Sequence, residues 1–351
     1  MTIETVYMQR CLKLAQRGFG QVAPNPMVGC VIVHNGHIIG EGYHMTYGKA
    51  HAEVNAIASV KDKSLLSKSV MYVSLEPCSH YGKTPPCTTV ISKYKIPTVY
   101  VACKDTFSEV SGKGIAQLMA NGVDVKTGLL EKEARFLNRR FFTFHERQRP
   151  YIILKWAQTT DGFIDIPASQ KSNKSPTWIT EPESRAIVHK WRSEEDAICA
   201  GAQTVLADNP TLTTRDWAGK NPLRITFDRD LSLPLHLNIF NSDAETLILN
   251  YKTDKSDGHI KYMRLNSKKN FVANICEILY KIQIQSIIIE GGTKLINTFI
   301  NAGLWDEARV FTGQVKFESG IRGPSLGLLP SDTIALGKDV LKIYYNANSR
   351  Y

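Results

Sequence analysis

The combination of His51 and Glu53 with Cys78 and Cys87 constrains this chain more than any other feature of its sequence. These residues supply one imidazole, two thiols and one carboxylate. Three protein ligands leave the fourth position of tetrahedral zinc open for water, as in a catalytic rather than a structural site. Bound zinc lowers the pKa of that water toward neutrality. We therefore predict a catalytic zinc site with His51, Cys78 and Cys87 as ligands and Glu53 as the residue that transfers protons.

The spacing of these residues narrows the kind of zinc site. Zinc-dependent deaminases carry the signature H-x-E followed by P-C-x-x-C, and the glutamate transfers protons without binding the metal. Here eight residues separate Cys78 from Cys87 instead of two. Positions two apart on a regular helix point about 200° away from each other, so His51 and Glu53 can face one site only at the beginning of a helix. The pattern predicts a deaminase-type centre with an altered second half.

Length and secondary-structure signals indicate two α/β domains in tandem. At 351 residues the chain is long for one hydrophobic core. Strand and helix signals alternate on both sides of a polar segment, residues 145–150, which ends in a proline. In the first part Asn35-Gly36 predicts a tight hairpin, because a type I′ turn needs positive φ at both positions. We predict domains at residues 1–147 and 148–351.

Apolar periodicity predicts the other regular elements. Helices are predicted over residues 7–18, 52–60, 88–94, 184–192 and 294–302. Strands are predicted over residues 28–33, 70–75, 98–103, 151–156, 224–228, 246–250 and 286–290. Thr180 and Glu183 match the capping-box pattern, which predicts how the helix over residues 184–192 begins.

Composition bears on location and partners. The sequence has no stretch of about 18 apolar residues, so no membrane span is expected, and the N-terminus lacks the pattern of a secretory signal. The seven cysteines suit a reducing cytoplasm. The net charge of +10 divides into +7 for residues 1–147 and +3 for residues 148–351, without a run of like charges. Attraction of small phosphorylated ligands explains this positive charge as well as binding of nucleic acid would. Because the charges are dispersed, we expect no nucleic-acid partner.

Four motifs in the first half resemble one enzyme family. They are residues 23–30 (APNPMVGC), 42–44 (GYH), 51–53 (HAE) and 75–87 (LEPCSHYGKTPPC). Together they closely resemble the deaminase half of the bifunctional riboflavin-biosynthesis deaminase–reductases, in which the long insert between the cysteines is the family's form of the zinc motif. The resemblance implies a cytidine-deaminase-like α/β/α sandwich in the first domain.

The resemblance also implies a substrate and its contacts. The substrate would be a diaminopyrimidinone that carries a ribosylamino 5-phosphate and loses an amine as ammonia. Asn25 would read the edge of the pyrimidine through its amide. His44, His80 and Lys83 would line the ribose-phosphate end.

The second half resembles the reductase half of the same family, which has a dihydrofolate-reductase-like α/β fold. The matching segments are residues 155–162, 178–180, 205–215 and 290–293. The resemblance implies that NADPH binds along Ala157, Trp178, Thr204, Asp208, Gly292, Thr293, Lys294, Leu295, Ile296, Asn297 and Thr298. It implies that the ribosylaminouracil 5-phosphate contacts Arg192, Leu212, Arg215 and Glu290, and we add Lys155 and Asp208 as candidates for polar contacts near the reacting centre.

Two of these implied contacts have a physical reason in the sequence itself. A glycine turn that leads from a strand into a helix exposes backbone N–H groups to an anion, and Gly291-Gly292 is such a turn. The turn lacks the G-x-G-x-x-G fingerprint, so a standard Rossmann site is not predicted. The planar guanidinium groups of Arg192 and Arg215 suit phosphate, which they can bind through two parallel hydrogen bonds.

The second half also departs from the family pattern. Thr159-Thr160 stands where the family has Ser-Leu, and the polar segment over residues 168–177 is longer than usual. One alternative is therefore a deaminase with an inactive reductase-like domain. A further alternative is a deaminase that edits a base in RNA, which would need a basic groove and aromatic platforms. The main prediction remains a cytoplasmic, bifunctional enzyme that uses Zn²⁺ and NADPH, acts on small phosphorylated pyrimidines and forms a homo-oligomer without a membrane partner.

Overall fold

The computed structural model describes residues 2–81, 85–106, 111–166 and 178–349. It divides the chain into two compact units, the first ending at Gln148 and the second beginning at Arg149. This division falls one residue beyond the boundary expected from the sequence. Lys83 and the polar segment over residues 168–177 lie outside the described residues. No helix in the described part of the chain is both long enough and apolar enough to cross a membrane.

The described residues of the first unit form a five-stranded mixed sheet with helices on both faces. Its strands are β1 (Gly29–His34), β2 (His37–Tyr43), β3 (Val70–Val73), β4 (Thr98–Val101) and β5 (Asp124–Thr127). Its helices are α1 (Ile3–Gln16), α2 (Ala52–Ser59), α3 (Cys87–Lys93), α4 (Lys113–Ala120), α5 (Glu131–Leu137) and α6 (Arg139–Arg147). The strand order is β2-β1-β3-β4-β5. The pairs β3·β4 and β4·β5 are parallel, whereas β1 runs antiparallel to both of its neighbours.

Local sequence explains the main features of this unit. The predicted hairpin between β1 and β2 is confirmed, with φ of 48° at Asn35 and 78° at Gly36. One core layer packs α2, α3 and α4 against the sheet, and a second packs α1, α5 and α6 against the other face. The unit is thus a three-layer α/β/α sandwich. Helix α1 begins at Ile3, earlier than predicted, because the Thr2 side chain accepts a hydrogen bond from the Thr5 N–H and caps it.

Among its described residues, the second unit contains a large ten-stranded sheet and a separate two-stranded sheet. Its strands are β6 (Tyr151–Gln158), β7 (Phe163–Asp165), β8 (Ala197–Gly201), β9 (Leu223–Phe227), β10 (Thr246–Asn250), β11 (Lys255–Asp257), β12 (Ile260–Arg264), β13 (Ser286–Glu290), β14 (Glu307–Thr312), β15 (Ile321–Arg322), β16 (Asp332–Leu336) and β17 (Asp339–Tyr345). Its helices are α7 (Pro182–Glu194), α8 (Ala202–Asp208), α9 (Phe271–Lys281) and α10 (Thr293–Asn301).

The strand order of the large sheet is β11-β12-β10-β9-β8-β13-β6-β14-β17-β16. The strands from β12 to β14 in this order run parallel, and the antiparallel strands lie at the two edges. One face of the sheet packs an apolar core against α9 and α10, with Leu154 and Ile289 fully buried against Ile275 and Phe299. The candidate site residues lie near the carboxyl end of the central parallel strands, where β13 ends at Glu290.

The predicted capping box at the start of α7 is wrong. Glu181 is the N-cap residue, and its side chain makes no capping hydrogen bond. The carboxylate of Asp339, on β17, accepts hydrogen bonds from the Glu181 N–H at 2.8 Å and from the Ser184 hydroxyl at 2.6 Å. A helix N-terminus needs an acceptor for its free N–H groups. Here the acceptor comes from a distant strand rather than from the local sequence.

Candidate active sites

The three predicted metal ligands lie together in the first unit. His51 is the N-cap residue of α2, Cys78 follows β3, and Cys87 is the first residue of α3. Their ligand atoms all lie within 4.8 Å of one another. His51 Nδ1 lies 3.5 Å from Cys78 Sγ and 3.4 Å from Cys87 Sγ. Tetrahedral zinc with bonds of about 2.0–2.3 Å has its ligand atoms roughly 3.3–3.8 Å apart, so the set fits a zinc ion.

Glu53 lies beside the triad. The backbone of His51 is extended, with ψ of 168°, whereas Glu53 belongs to the first turn of α2. This change of conformation lets both side chains face one site, as the spacing predicts. Glu53 is only 3% exposed. Burial, and then the negative charge of Cys78, raises the pKa of Glu53 to about 7.

The Cys78 sulfur is prepared to bind a metal as a thiolate. The Cys87 N–H donates a hydrogen bond to Cys78 Sγ at 3.3 Å. Hydrogen bonding from the Cys87 thiol, and then from His51, lowers the pKa of Cys78 despite its burial. The thiolate is the form of cysteine that binds metals.

Asn25 and His44 lie next to these ligands. His44 is 2% exposed, and its ring centroid lies 5.2 Å from that of His51. His44 Nδ1 lies 3.1 Å from the Ala50 carbonyl oxygen, which can only accept, so we assign the proton to Nδ1. Nε2 then accepts a hydrogen bond from Asn25 Nδ2 at 3.2 Å. This arrangement leaves the Asn25 carbonyl oxygen available as an acceptor.

His80 lies two residues after Cys78, in the segment between the two cysteines. Its Nδ1 is buried and has no hydrogen-bond partner among the described residues. Lys83, predicted to lie beside it, is outside those residues.

Asn138 holds the loop that carries Asn25, and the sequence analysis missed it. The Asn138 amide donates to the Met27 carbonyl at 2.8 Å and accepts from the Met27 N–H at 2.8 Å. Asn138 is 2% exposed and lies between α5 and α6. Asparagine is common in the connection between two helices, so no local sequence signal indicated this role.

A cluster of charged residues forms the core of the second candidate site. Glu290 and Lys155 face each other on adjacent parallel strands. Lys155 Nζ lies 2.6 Å from Glu290 Oε1, and the Arg192 guanidinium lies 3.1 Å from Oε2. Burial opposes ionisation of Glu290, but the charges of Lys155 and Arg192 outweigh it and lower its pKa to about 2. The structure therefore brings together three of the predicted substrate residues.

The neighbouring loop carries the other two predicted substrate residues. Leu212 is 3% exposed with φ of 54°. Arg215 is exposed, and its guanidinium donates to the Thr211 hydroxyl. Arg192 also donates to the Thr213 carbonyl at 3.1 Å, and its buried Nε has no hydrogen-bond partner in the described part of the chain. This free donor suits an anionic ligand.

His189, on α7, supports this loop and was not singled out from the sequence. Its Nδ1 accepts a hydrogen bond from the Arg215 N–H at 3.0 Å, and its Nε2 lies 3.3 Å from Asp216 Oδ2. The two contacts define a neutral ring, with the proton on Nε2. Arg192 follows three residues later on the same helix, so α7 positions both predicted arginines.

The glycine turn before α10 fits the phosphate of a dinucleotide. Gly291 has φ of 122°, and a Cβ there would lie 3.0 Å from Thr204 Oγ1. The Gly292 N–H donates to Thr204 Oγ1 at 3.2 Å, which joins two predicted cofactor residues. The first-turn N–H groups of α10 have no partner within the helix, so they can bind an anion. Ile296 is fully buried in the apolar core, so only its backbone can face a cofactor.

The remaining predicted cofactor residues lie elsewhere in the second unit or within α10. Trp178 is 59% exposed, and the Arg185 guanidinium lies 4.3 Å from its ring centroid. Ala157 is half-buried on β6, and Asp208 is the last residue of α8. Within α10, Lys294 is exposed, and Thr293, Leu295, Asn297 and Thr298 are partly buried.

Comparison with known proteins gives two family matches that follow the two units. Residues 1–103 match the family described as the cytidine and deoxycytidylate deaminase zinc-binding region. Residues 150–315 match the RibD C-terminal domain.

Full-length relatives cover both units. The riboflavin biosynthesis protein RibD of Aquifex aeolicus is 38% identical over 332 residues, covering 93% of this chain and 91% of that protein. RibD of Escherichia coli is 34% identical, covering 90% and 89%. The crystal structure of a Thermotoga maritima protein, described as a diaminohydroxyphosphoribosylaminopyrimidine deaminase/5-amino-6-(5-phosphoribosylamino)uracil reductase, superposes with a TM-score of 0.86 at 32% identity, covering 98% of this chain and 99% of that one.

The cluster of His51, Cys78 and Cys87 and the two family matches together define the class of protein. It is an enzyme with a deaminase domain of the zinc-binding type followed by a reductase domain. More particularly, the chain belongs to the RibD family of bifunctional riboflavin-biosynthesis enzymes. The predicted family, the dual activity and the fold class, a cytidine-deaminase-like domain followed by a dihydrofolate-reductase-like one, are confirmed.

Proposed function

We propose that this chain catalyses two consecutive steps on one phosphorylated pyrimidine. The first is hydrolytic deamination of 2,5-diamino-6-ribosylamino-4(3H)-pyrimidinone 5′-phosphate. The second is NADPH-dependent reduction of the ribosyl group of 5-amino-6-(5-phosphoribosylamino)uracil to ribityl. The observation that carries the proposal is the convergence of His51, Cys78 and Cys87 beside the buried Glu53. The full-length similarity to a protein described by both activities supports the pairing of the steps.

The deamination exchanges an amine for a carbonyl oxygen, with water consumed and ammonia released. His51, Cys78 and Cys87 would hold Zn²⁺, which supplies a Lewis acid and makes water nucleophilic near neutral pH. Glu53 would take a proton from the attacking water and deliver it to the ring nitrogen and then to the leaving amine. Asn25 would hold the edge of the pyrimidine, with its amide oriented by His44. His44, His80 and Lys83 would line the ribose-phosphate end.

The reduction takes place at C1′ of the ribose and opens the sugar. NADPH, when bound, supplies the hydride. Residues 292–298, at the beginning of α10, together with Ala157, Trp178, Thr204 and Asp208, would hold the cofactor. Arg192 and Arg215 would bind the 5-phosphate of the substrate. Leu212 would contact the same substrate.

Lys155 and Glu290 are proposed to lie at the reacting end of the substrate. The 2.6 Å contact between Lys155 Nζ and Glu290 Oε1 holds the lysine side chain beside the last residue of β13. Asp208 is a further candidate for a polar contact there.

The deciding experiment is turnover by the purified full chain with its metal content measured, with and without NADPH. We expect ammonia release in both cases and NADPH oxidation only after deamination. Ammonia release without NADPH oxidation would favour the alternative of an inactive reductase-like domain. Absence of both, with zinc present, would overturn the proposal and make RNA binding the next measurement, with its salt dependence.

We further infer a cytoplasmic homo-oligomer that acts on small molecules. All seven cysteines are free thiols in the structure, as a reducing compartment requires. Light scattering on the purified protein tests the oligomeric state, and a monomeric mass at micromolar concentration would contradict it.

A further inference from the structure

The carboxylate of Glu76 makes an unusual set of contacts two residues before Cys78. It is 4% exposed and accepts four backbone hydrogen bonds from residues that the structure describes. The donors are the N–H groups of Asp105 (3.2 Å), Gly112 (3.0 Å), Gly114 (2.9 Å) and Ile115 (3.2 Å). Each carboxylate oxygen accepts two of them. One buried side chain thus joins the segment before Cys78 to the beginning of α4.

The backbone confirms how closely α4 approaches this segment. A Cβ on Gly114 would collide with the carbonyl oxygen of Pro77. Only glycine allows the first turn of α4 to lie directly on the peptide that precedes Cys78. The hydrogen bonds of Glu76 and this contact hold the same two segments together.

The segment that carries the other cysteine is attached to α4 as well. Thr88, which follows Cys87, donates its N–H to the Cys78 carbonyl at 3.2 Å. The Thr88 hydroxyl lies 2.9 Å from Oε1 of Gln117, a residue of α4. Helix α4 therefore contacts both cysteine segments, although it supplies no ligand to the site.

We propose that Glu76 is a positioning residue that fixes, through α4, the separation of the Cys78 and Cys87 sulfur atoms and thereby the retention of the metal. This inference rests on the zinc site proposed above. Hydrogen bonds to a carboxylate are shorter and stronger than those between neutral groups, so Glu76 is a firmer anchor than an amide. Partners that orient metal ligands typically change metal affinity by about 10–100-fold.

Glu76→Gln tests the proposal at nearly constant shape. The amide nitrogen of glutamine cannot accept a hydrogen bond, so one pair of backbone N–H groups loses its acceptor. We expect zinc release to a chromogenic chelator to become about 10–100-fold faster. The kcat for deamination should fall more than KM rises, because the reacting groups are displaced while the pyrimidine contacts remain.

Two control variants separate positioning from a general loss of stability. Glu41→Gln makes the same chemical change on β2, where the carboxylate pairs with the exposed Arg10, and it should leave zinc release unchanged. Leu14→Ala removes a buried side chain from α1, in the other core layer. It should lower the unfolding midpoint without a matching increase in zinc release. NADPH oxidation on pre-deaminated substrate reports on the second unit in every variant.

Zinc release from Glu76→Gln at the wild-type rate would overturn the proposal. The proposal would also fail if Leu14→Ala lost as much stability as Glu76→Gln and released zinc equally fast. The Thr88 hydroxyl also donates to the Cys78 carbonyl at 3.2 Å, so the second attachment is tested from the α4 side. Should Glu76→Gln not fold, Gln117→Met removes the acceptor on α4 and leaves the hydrogen bond between Thr88 and Cys78 in place. Faster release from that variant supports the role of α4, and unchanged release overturns it. Wild-type protein that binds no zinc would instead refute the proposed metal site, and the inference with it.

Discussion

His51 and Cys87 lie 36 residues apart in the first unit, whereas Lys155 and Glu290 lie 135 residues apart in the second. The first site takes its residues from the N-termini of α2 and α3 and from the segment that follows β3. The second takes them from strands and a helix that meet only in the folded sheet. The first site can therefore be recognised from a short motif, and the second requires the strand register.

The two sites also differ in electrostatics. In the first site, burial raises the pKa of Glu53. Two sulfur atoms there lie close to one imidazole, and this set of ligand atoms fits a cation. In the second, Glu290 already has Lys155 and Arg192 as counter-charges. A candidate metal site and a site whose carboxylate already has counter-charges should respond differently to the same perturbation.

Metal removal should give the largest difference between the sites. Chelation of the wild-type protein should reduce ammonia release to background, because the water would no longer be activated. NADPH oxidation on pre-deaminated substrate should stay within about twofold, since the second site contains no predicted metal ligand. Parallel assays before and after zinc is restored measure both. Loss of both activities on chelation would show that metal dependence does not distinguish the two sites.

Glu53→Gln should separate catalysis from metal binding within the first site. General acid–base catalysis contributes typically about 10²–10⁴-fold, and we expect a loss of that size in kcat for deamination. Zinc content should remain at the wild-type level, because Glu53 is not among the ligands. Metal analysis and ammonia assays on the same sample test this. Near-normal turnover would remove Glu53 from its proposed role.

Arg192→Lys should have a smaller effect, limited to the second site. The variant keeps a positive charge near Glu290 but loses the planar fork that suits phosphate. A hydrogen bond to a charged group contributes about 1.5–3 kcal/mol, which corresponds to a KM for the reductase substrate raised about 10–100-fold. Arg229→Lys is the matched control, since Arg229 has a 75% exposed side chain. A fall in kcat with constant KM would argue against phosphate binding by Arg192.

The pH dependence of stability should give the smallest difference. Burial, and then the charges of Arg192 and Arg215, lowers the pKa of His189 to about 4, although Asp216 and Glu290 oppose this. The unfolded chain binds this proton at about pH 6.5, so His189 makes the second unit less stable as pH falls from about 6.5 to about 4 and has no such effect above that range.

His189→Asn should flatten that part of the profile, because its amide oxygen can still accept the Arg215 N–H but does not titrate. All five tryptophans lie in the second unit, so their fluorescence follows its unfolding in urea alone. An unchanged pH slope in the variant would rule out His189 as its source.

In the first unit, some features could be predicted from the sequence and others could not. The turn at Asn35-Gly36 was predictable because its conformation depends on two adjacent residues. The meeting of His51 with Cys78 and Cys87 was predictable because side-chain chemistry and spacing together admit few other uses. Asn138 was not predictable, because its two hydrogen bonds to Met27 depend on a packing contact 111 residues away.

The residue types of the candidate metal site, the α/β organisation and the family could all be predicted from contiguous motifs and local periodicity. Three contacts became visible only in the folded chain: Asp339 caps α7, Glu290 pairs with both Lys155 and Arg192, and Glu76 joins the segment before Cys78 to α4. The physical reason is common to all three. A buried carboxylate needs hydrogen-bond donors or counter-charges, and which groups meet it depends on strand register and helix packing between residues far apart in the chain.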